Sequence, residues 1–178
     1  VARLVLINGA PGSGKSTIAE LLAQDHALDL ALDLDVIKHS LGQWDADPTA
    51  SGLHARRLAL ALVEAQLRSG HDAFVGQFLA RDDFIDELGA AARACGAAFV
   101  EVVLRASAET LRGRLARRAV HPERIEHAAN AALVGLDDIP EMITSIEAAT
   151  QRRPSALVVN ADGHIDETAQ RIRDLLIT

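Results

Sequence analysis

Only one of the 178 residues is cysteine, Cys95, so the chain closes no internal disulfide and builds no thiolate metal site from its own cysteines. That thiol lies in an alanine-rich stretch, where it packs as a small apolar residue, and a reducing compartment, with the cytoplasm as the default, is the expectation. Lysine is also scarce: 16 of the 18 basic residues are arginine, leaving Lys15 and Lys38. With 18 basic against 25 acidic residues the net charge is −7, which excludes the generally basic surface that holds long nucleic acid by counterion release. No apolar run reaches the roughly 18 to 20 residues that cross a bilayer, and no leader is expected, because residues 1–8 run directly into what reads as a core strand. What is present, 49% hydrophobic and 24% charged residues, is a globular balance, and a single domain over residues 1–178 is expected.

Residues 3–8 (RLVLIN) form an unbroken apolar run ended by Gly9, the pattern of a strand buried on both faces of a parallel sheet. Helix is expected over 15–24. Residues 28–35 (LDLALDLD) alternate apolar and acidic side chains and read as a second strand with carboxylates at its C-terminal end, followed by a short helix over 36–41. The stretch 42–51 is turn-rich, and 52–69 carries the apolar spacing of an amphipathic helix closed by Gly70. Strands over 72–79, 98–104 and 156–160 alternate with helices over 81–94, from Ser107 onward, and over 165–177; Pro122 and Pro140 mark possible first turns. Five strands alternating with helices predict an α/β domain of three layers, with a five-stranded parallel sheet.

Gly9-Ala10-Pro11-Gly12-Ser13-Gly14-Lys15-Ser16 fits G-x-x-x-x-G-K-[ST], is followed by Thr17, and stands between a strand and a helix, the context its mechanism requires. The glycines let backbone N–H groups turn inward around an anion, Lys15 reaches the outer phosphates and Ser16 offers a hydroxyl to Mg²⁺. ATP and Mg²⁺ are therefore the expected cofactors. A GTPase of this size is excluded by the lack of an N-K-x-D signature.

Asp33 and Asp35 follow, at the strand edge that faces the ligand crevice of an open parallel sheet. Asp33 is the candidate metal ligand and Asp35 the candidate base for an attacking alcohol; the plain alternative is that Asp35 caps the next helix. At this point the sequence resembles the P-loop small-molecule kinases of the nucleoside-monophosphate-kinase-like fold. The loop GAPGSGKST, the D-x-D pair and the arginine-rich helix after strand four are similar to shikimate kinase, which implies a magnesium-shell role for Asp33 and a substrate-hydroxyl role for Asp35. Asp35-Val-Ile-Lys38-His-Ser-Leu41 resembles the D-x-[IL]-[RK]-x-x-L stretch of chloramphenicol phosphotransferase, zeta-toxin-like and polynucleotide kinases, which implies a catalytic Asp35 and a substrate-holding Lys38. The chain departs from these patterns after strand three, where Val75-Gly-Gln77-Phe-Leu-Ala-Arg81 lacks both G-G-G-x-x-R and a Walker B carboxylate. Gln77 either replaces that carboxylate through its amide oxygen or is a buried structural amide.

Arg112, Arg114, Arg117 and Arg118 crowd one helix, with Arg114, Arg117 and Arg118 on adjoining positions of one face. A polyanion relieves their repulsion, so Arg114 and Arg118 are candidate catalytic residues and all three candidate ATP contacts; a solvated face paired with Glu109 and Glu123 is the alternative. The resemblance implies a helical lid at about residues 112–135 that contains this helix, and places Asn160 and the following loop beside adenine; the segment with His121, Pro122, Arg124 and His127 reads as the continuation of that lid, its histidines as surface or substrate-contact residues. The acceptor wall is expected on helix 52–69 and its surroundings, with Trp44, Arg57, Gln77 and Arg81 as substrate contacts and Asp45, His54 and Arg56 nearby. The expected reaction moves the γ-phosphate of ATP to a hydroxyl of a small molecule. The competing readings are a nucleotide or polynucleotide 5′-kinase, and a non-enzymatic ATP-binding switch.

Overall fold

The computed structural model describes residues 1–120 and 135–177. Its first strand, β1 (Arg3–Gly9), has Leu4, Val5, Leu6 and Ile7 all fully buried, because the sheet is covered on both sides. Then come α1 (Lys15–Ala23), β2 (Leu30–Leu32), α2 (Leu34–His39), α3 (Pro48–Arg68), β3 (Ala73–Gln77), α4 (Asp82–Ala94), β4 (Ala98–Arg105) and α5 (Ala108–Val120). A 3₁₀ turn (Leu136–Asp138) leads into α6 (Ile139–Arg152), β5 (Leu157–Asn160) and α7 (Ile165–Leu176). All pairings are parallel, in the order β2-β3-β1-β4-β5, so the expected five-stranded α/β sheet is present.

Alternation along β1 divides the core. Val5 and Ile7 pack with Ile18 and Leu22 of α1 and Ile172 of α7, whereas Leu4 and Leu6 pack with Val63 of α3 and Phe84, Ile85 and Leu88 of α4. The neighbours β1 and β3 thus hand the chain to helices on opposite faces, α1 and α4, and the sheet opens a crevice at their C-terminal ends. The glycine-rich loop after β1 and the two carboxylates after β2 stand at that edge.

Three local expectations are corrected. The second strand is three residues, not eight: Leu28 has φ 70°, and Asp33 already leaves the ladder. Helix α2 starts at Leu34 rather than Val36, and its cap is Asp33, whose Oδ1 accepts the Asp35 N–H at 2.8 Å; Asp35 lies in the first turn and is not the cap. Helix α3 begins at Pro48 instead of Gly52, because Asp47 Oδ1 accepts from Thr49 and Ala50 N–H and Pro48 supplies a ready-made first turn. No helix among the described residues is long and apolar enough to cross a membrane.

Candidate functional site

The loop between β1 and α1 turns on glycines in left-handed conformations. Gly12 and Gly14 hold φ of 85° and 97°, left-handed values that favour glycine, and a Cβ at Gly14 would run into Ile165. Gly14 occupies the N-cap of α1 without any side-chain cap, which leaves the first-turn N–H groups of α1 for a ligand. Ser13 is fully buried and its Oγ has no partner. Lys15 folds back along the loop so that Nζ donates to Ala10 O at 3.1 Å. A glycine-rich loop that ends at a helix start without a side-chain cap, with a lysine folded into it, is the arrangement that accepts a triphosphate.

Burial pushes the Lys15 ammonium down to about 8; Asp33 opposes this, Arg118 adds to it by repulsion, and Asp35 opposes it again. The charges of both carboxylates and of Arg118 are thus felt at one ammonium. Ser16 Oγ donates to Asp33 Oδ2 at 2.6 Å, so hydroxyl and carboxylate form one oxygen pair at the loop's exit. That pair has the hard-oxygen chemistry of a Mg²⁺ shell. Among the described residues no group of three histidine, cysteine or acidic side chains is placed to hold a metal, so phosphate and water oxygens would complete the shell.

Two residues that sequence reasoning passed over set this geometry. Asn8 is 1% exposed; its Oδ1 accepts the N–H of Gly9 at 2.8 Å and of Leu79 at 2.9 Å, and its Nδ2 donates to Leu79 O at 2.9 Å. The amide thereby ties the start of the loop to the chain leaving β3. Gly76 is the second: a Cβ there would lie 3.1 Å from the carbonyl carbon and oxygen of Lys15 and from Ser16 Cα, so β3 reaches the base of α1 only because residue 76 has no side chain. A polar residue ending an apolar run and a lone glycine within a strand were the available signals. Gln77 follows, half-buried and paired in register with Asn8.

The arginines of α5 separate in role. Arg114 Nη2 donates to Ala161 O at 2.8 Å and Gly163 O at 2.9 Å, and Nη1 to Ser13 O at 3.3 Å and Gly12 O at 3.5 Å. It joins the phosphate loop to the loop after β5. Burial moves its guanidinium below the ordinary range, with Asp162 opposing and Arg117 adding to the shift. Asp162 in turn accepts the Ser107 N–H at 2.7 Å, a bond that holds its carboxyl below the usual range, and Asn160 Oδ1 accepts the Asp162 N–H at 2.9 Å. Arg118 is half-buried near Lys15, whereas Arg112 and Arg117 are exposed. His121, Pro122, Glu123, Arg124 and His127, and with them most of the expected lid, lie outside the described residues.

On the other flank, Lys38 Nζ lies 5.3 Å from the Trp44 ring centroid, and the His39 ring packs against Trp44 with centroids 4.2 Å apart and the planes tilted by 54°. Arg56, rather than its exposed neighbour Arg57, turns inward, with its guanidinium 5.2 Å from the Phe84 ring centroid. Arg81 is exposed and pairs with Asp83 at 3.0 Å, at the start of α4. The structure therefore brings Lys15, Ser16, Asp33, Asp35 and Arg118 together, sets Lys38 of α2 against Trp44 and Gln77 at the end of β3, and leaves Arg57, Arg81 and Arg117 facing solvent.

A family model described as an AAA domain matches residues 4–139. Similar solved structures include a gluconokinase from Sinorhizobium meliloti 1021, 17% identical, covering 97% of this chain and 94% of the other, with a TM-score of 0.63. The tunicamycin resistance protein of Deinococcus radiodurans is 15% identical over 99% of this chain and 96% of its own, with a TM-score of 0.64. An APS kinase from Mycobacterium tuberculosis, solved with AMPPNP and APS, is 24% identical over 99% of this chain and 98% of its own, with a TM-score of 0.60. No curated protein matches the sequence.

Proposed function

The chain belongs to the AAA domain family and has the P-loop NTPase fold; from that premise we propose that it is an ATP- and Mg²⁺-dependent phosphotransferase that moves the γ-phosphate of ATP to a hydroxyl of a small molecule. The observation that carries this reading is the convergence at Lys15, where the charges of Asp33, Asp35 and Arg118 meet at the mouth of the phosphate loop. The likeness to a gluconokinase, an APS kinase and a tunicamycin resistance protein supports it as a pattern of fold.

In this reading the free N–H groups of the loop and α1 cradle the β- and γ-phosphates, and Lys15 and Arg118 oppose the charge that builds on the transferring group. Ser16 and Asp33 hold the metal, which when bound neutralises phosphate charge. Arg114 keeps the phosphate loop and the nucleoside loop in one geometry, which makes it a positioning residue. Asp35, in the first turn of α2, orients the acceptor hydroxyl and takes its proton as the new O–P bond forms and the bond to the ADP oxygen breaks.

The test is acceptor-dependent ADP release from Mg-ATP across hydroxylated metabolites, nucleosides, nucleotides and antibiotics, beside an Asp35→Asn variant. Turnover with one acceptor class, reduced about 10²- to 10⁴-fold in the variant with ATP binding intact, is expected. Acceptor-dependent turnover untouched by Asp35→Asn removes the assigned base. ATP binding with no acceptor-dependent release throughout favours the nucleotide switch.

A further inference from the structure

One side chain joins the loop after β5, residues 160–163, to the phosphate loop. Arg114 reaches Gly12 O and Ser13 O with Nη1 and Ala161 O and Gly163 O with Nη2, so the two loops stand on either side of a single guanidinium. With β1 at the centre of the sheet, the β2 flank of the phosphate loop carries Asp33 and Asp35, and the β5 flank carries residues 160–163. A nucleotide with its phosphates in the glycine-rich turn and its γ-phosphate beside the carboxylates therefore runs its base toward the β5 flank.

Most acceptors of that loop are already spent. Three of the four carbonyls of residues 160–163 accept from arginine: Asn160 O from Arg171 Nη1 at 3.3 Å, and Ala161 O and Gly163 O from Arg114. The Asp162 carboxylate is turned to the root of α5, where Oδ1 accepts the Ser107 N–H at 2.7 Å. Asn160 is fixed as well. Its Oδ1 accepts the Asp162 N–H at 2.9 Å, and because a backbone N–H only donates, the oxygen end of the amide is the committed one and Nδ2 is left over. Among the described residues, Asn160 Nδ2 and the Gly163 N–H have no partner. The loop thus offers N–H donors where its acceptors are taken.

Purines differ at the edge such a loop reads. Adenine carries an amino donor at position 6, and an asparagine recognises it by accepting from N6 while donating to N7. Asn160 makes that pair only by releasing Asp162, and an amino group brought to Ala161 O or Gly163 O meets the guanidinium N–H groups already there. A 6-oxopurine carries an acceptor at the same position, which takes a bond from Asn160 Nδ2 and is favoured by the Arg114 charge.

We propose that the nucleotide site does not single out adenine: Asn160 meets position 6 of the purine as a donor, so guanine and hypoxanthine nucleotides bind at least as tightly as adenine nucleotides. The inference rests on the phosphotransferase reading for the use of a nucleoside triphosphate, but base selectivity is read from binding alone.

The test is displacement of ribose-labelled mant-ADP, with Mg²⁺ present, by ADP, GDP and IDP; IDP lacks the 2-amino group and so isolates position 6. Equal or tighter binding of GDP and IDP is expected, and ADP binding more than about threefold tighter than both overturns the proposal. Asn160→Asp keeps the acceptor for the Asp162 N–H and replaces Nδ2 by an oxygen. It should move the affinity ratios about tenfold toward ADP, whatever uniform loss the added negative charge brings. Unchanged ratios in a variant that still binds mant-ADP and keeps its circular dichroism overturn the assignment of Asn160. The wild-type series stands independently of whether the variant folds.

A second arm compares ATP, GTP and ITP as phosphoryl donors to an acceptor found in the library. A kcat/KM for GTP and ITP at or above that for ATP supports the proposal, and values below about a tenth of it overturn it. Selective binding of ADP together with transfer from ATP would remove the base assignment and leave the phosphotransferase reading intact. Equal binding of all three bases with transfer to no acceptor would do the reverse.

Discussion

Lys15 is the residue on which the site balances. Its ammonium is enclosed by the loop and lowered from the ordinary 10.5 to about 8, chiefly by burial. Between those two values the unfolded chain holds a proton that the folded, ligand-free protein has lost, so stability of the free protein rises with pH across that window. Nucleotide affinity runs the other way, because the phosphates need the charged ammonium. Binding of ATP should therefore take up about half a proton near pH 8 and close to one near pH 9, with log affinity falling about one unit per pH unit above 8. Calorimetry in buffers of different ionisation enthalpy measures that uptake, and a binding heat independent of buffer across this range would remove Lys15 from the phosphate contact. The lysine was legible from its motif alone. Its lowered proton affinity was not, since that depends on how completely the folded loop buries it, with Asp33 and Asp35 opposing the shift and Arg118 adding to it.

At the level of elements, the junction of β3 with α1 decides how well the cradle is formed. Gly76 places β3 against the backbone of Lys15 and Ser16, and three of the nearest atoms to an added Cβ, all 3.1 Å away, are backbone and cannot rotate aside. Gly76→Ala should cost about 1 to 3 kcal/mol in urea unfolding and, more tellingly, weaken ATP binding by about tenfold or more, because the start of α1 must shift. A variant that loses stability while keeping its ATP affinity would show that the contact supports the core rather than the site. The corrections at β2 and α2 belong to the same scale. Alternation in residues 28–35 looks like a long strand, yet Asp33 finds a better partner in the Asp35 N–H than the ladder offers, and its capping turn starts the helix two residues early.

Across the whole molecule, α6 is tied back to the sheet by ion pairs distant in sequence. Arg153 Nε meets Glu101 Oε2 at 2.6 Å and Nη1 meets Asp86 Oδ1 at 2.9 Å, with the Glu101 side chain 6% exposed; Arg152 adds Asp82 at 2.8 Å. These contacts anchor the C-terminal end of α6 to β4 and α4. Arg153→Met leaves Glu101 as a buried, unpaired carboxylate and should cost about 3 kcal/mol, most of it recovered in Arg153→Met/Glu101→Leu. Urea unfolding of the two variants checks this, and a single-variant loss under about 1 kcal/mol would mean that Glu101 finds another donor. Neither arginine stood out in the sequence, because a pair separated by 52 positions has no local signature.

The local order of residues sufficed for the α/β alternation, the phosphate loop and the two carboxylates after β2, since a glycine-rich turn between strand and helix and the period of apolar side chains are properties of adjacent positions. Only the tertiary structure decided which charges act together. It turned Arg56 inward and Arg57 outward, committed Arg114 to backbone carbonyls of two loops, and set Asn8 and Gly76 as the supports of the cradle. Those outcomes depend on which surfaces meet when β1 and β3 send their helices to opposite faces of the sheet, and burial, not proximity in sequence, sets the strength of each charge there.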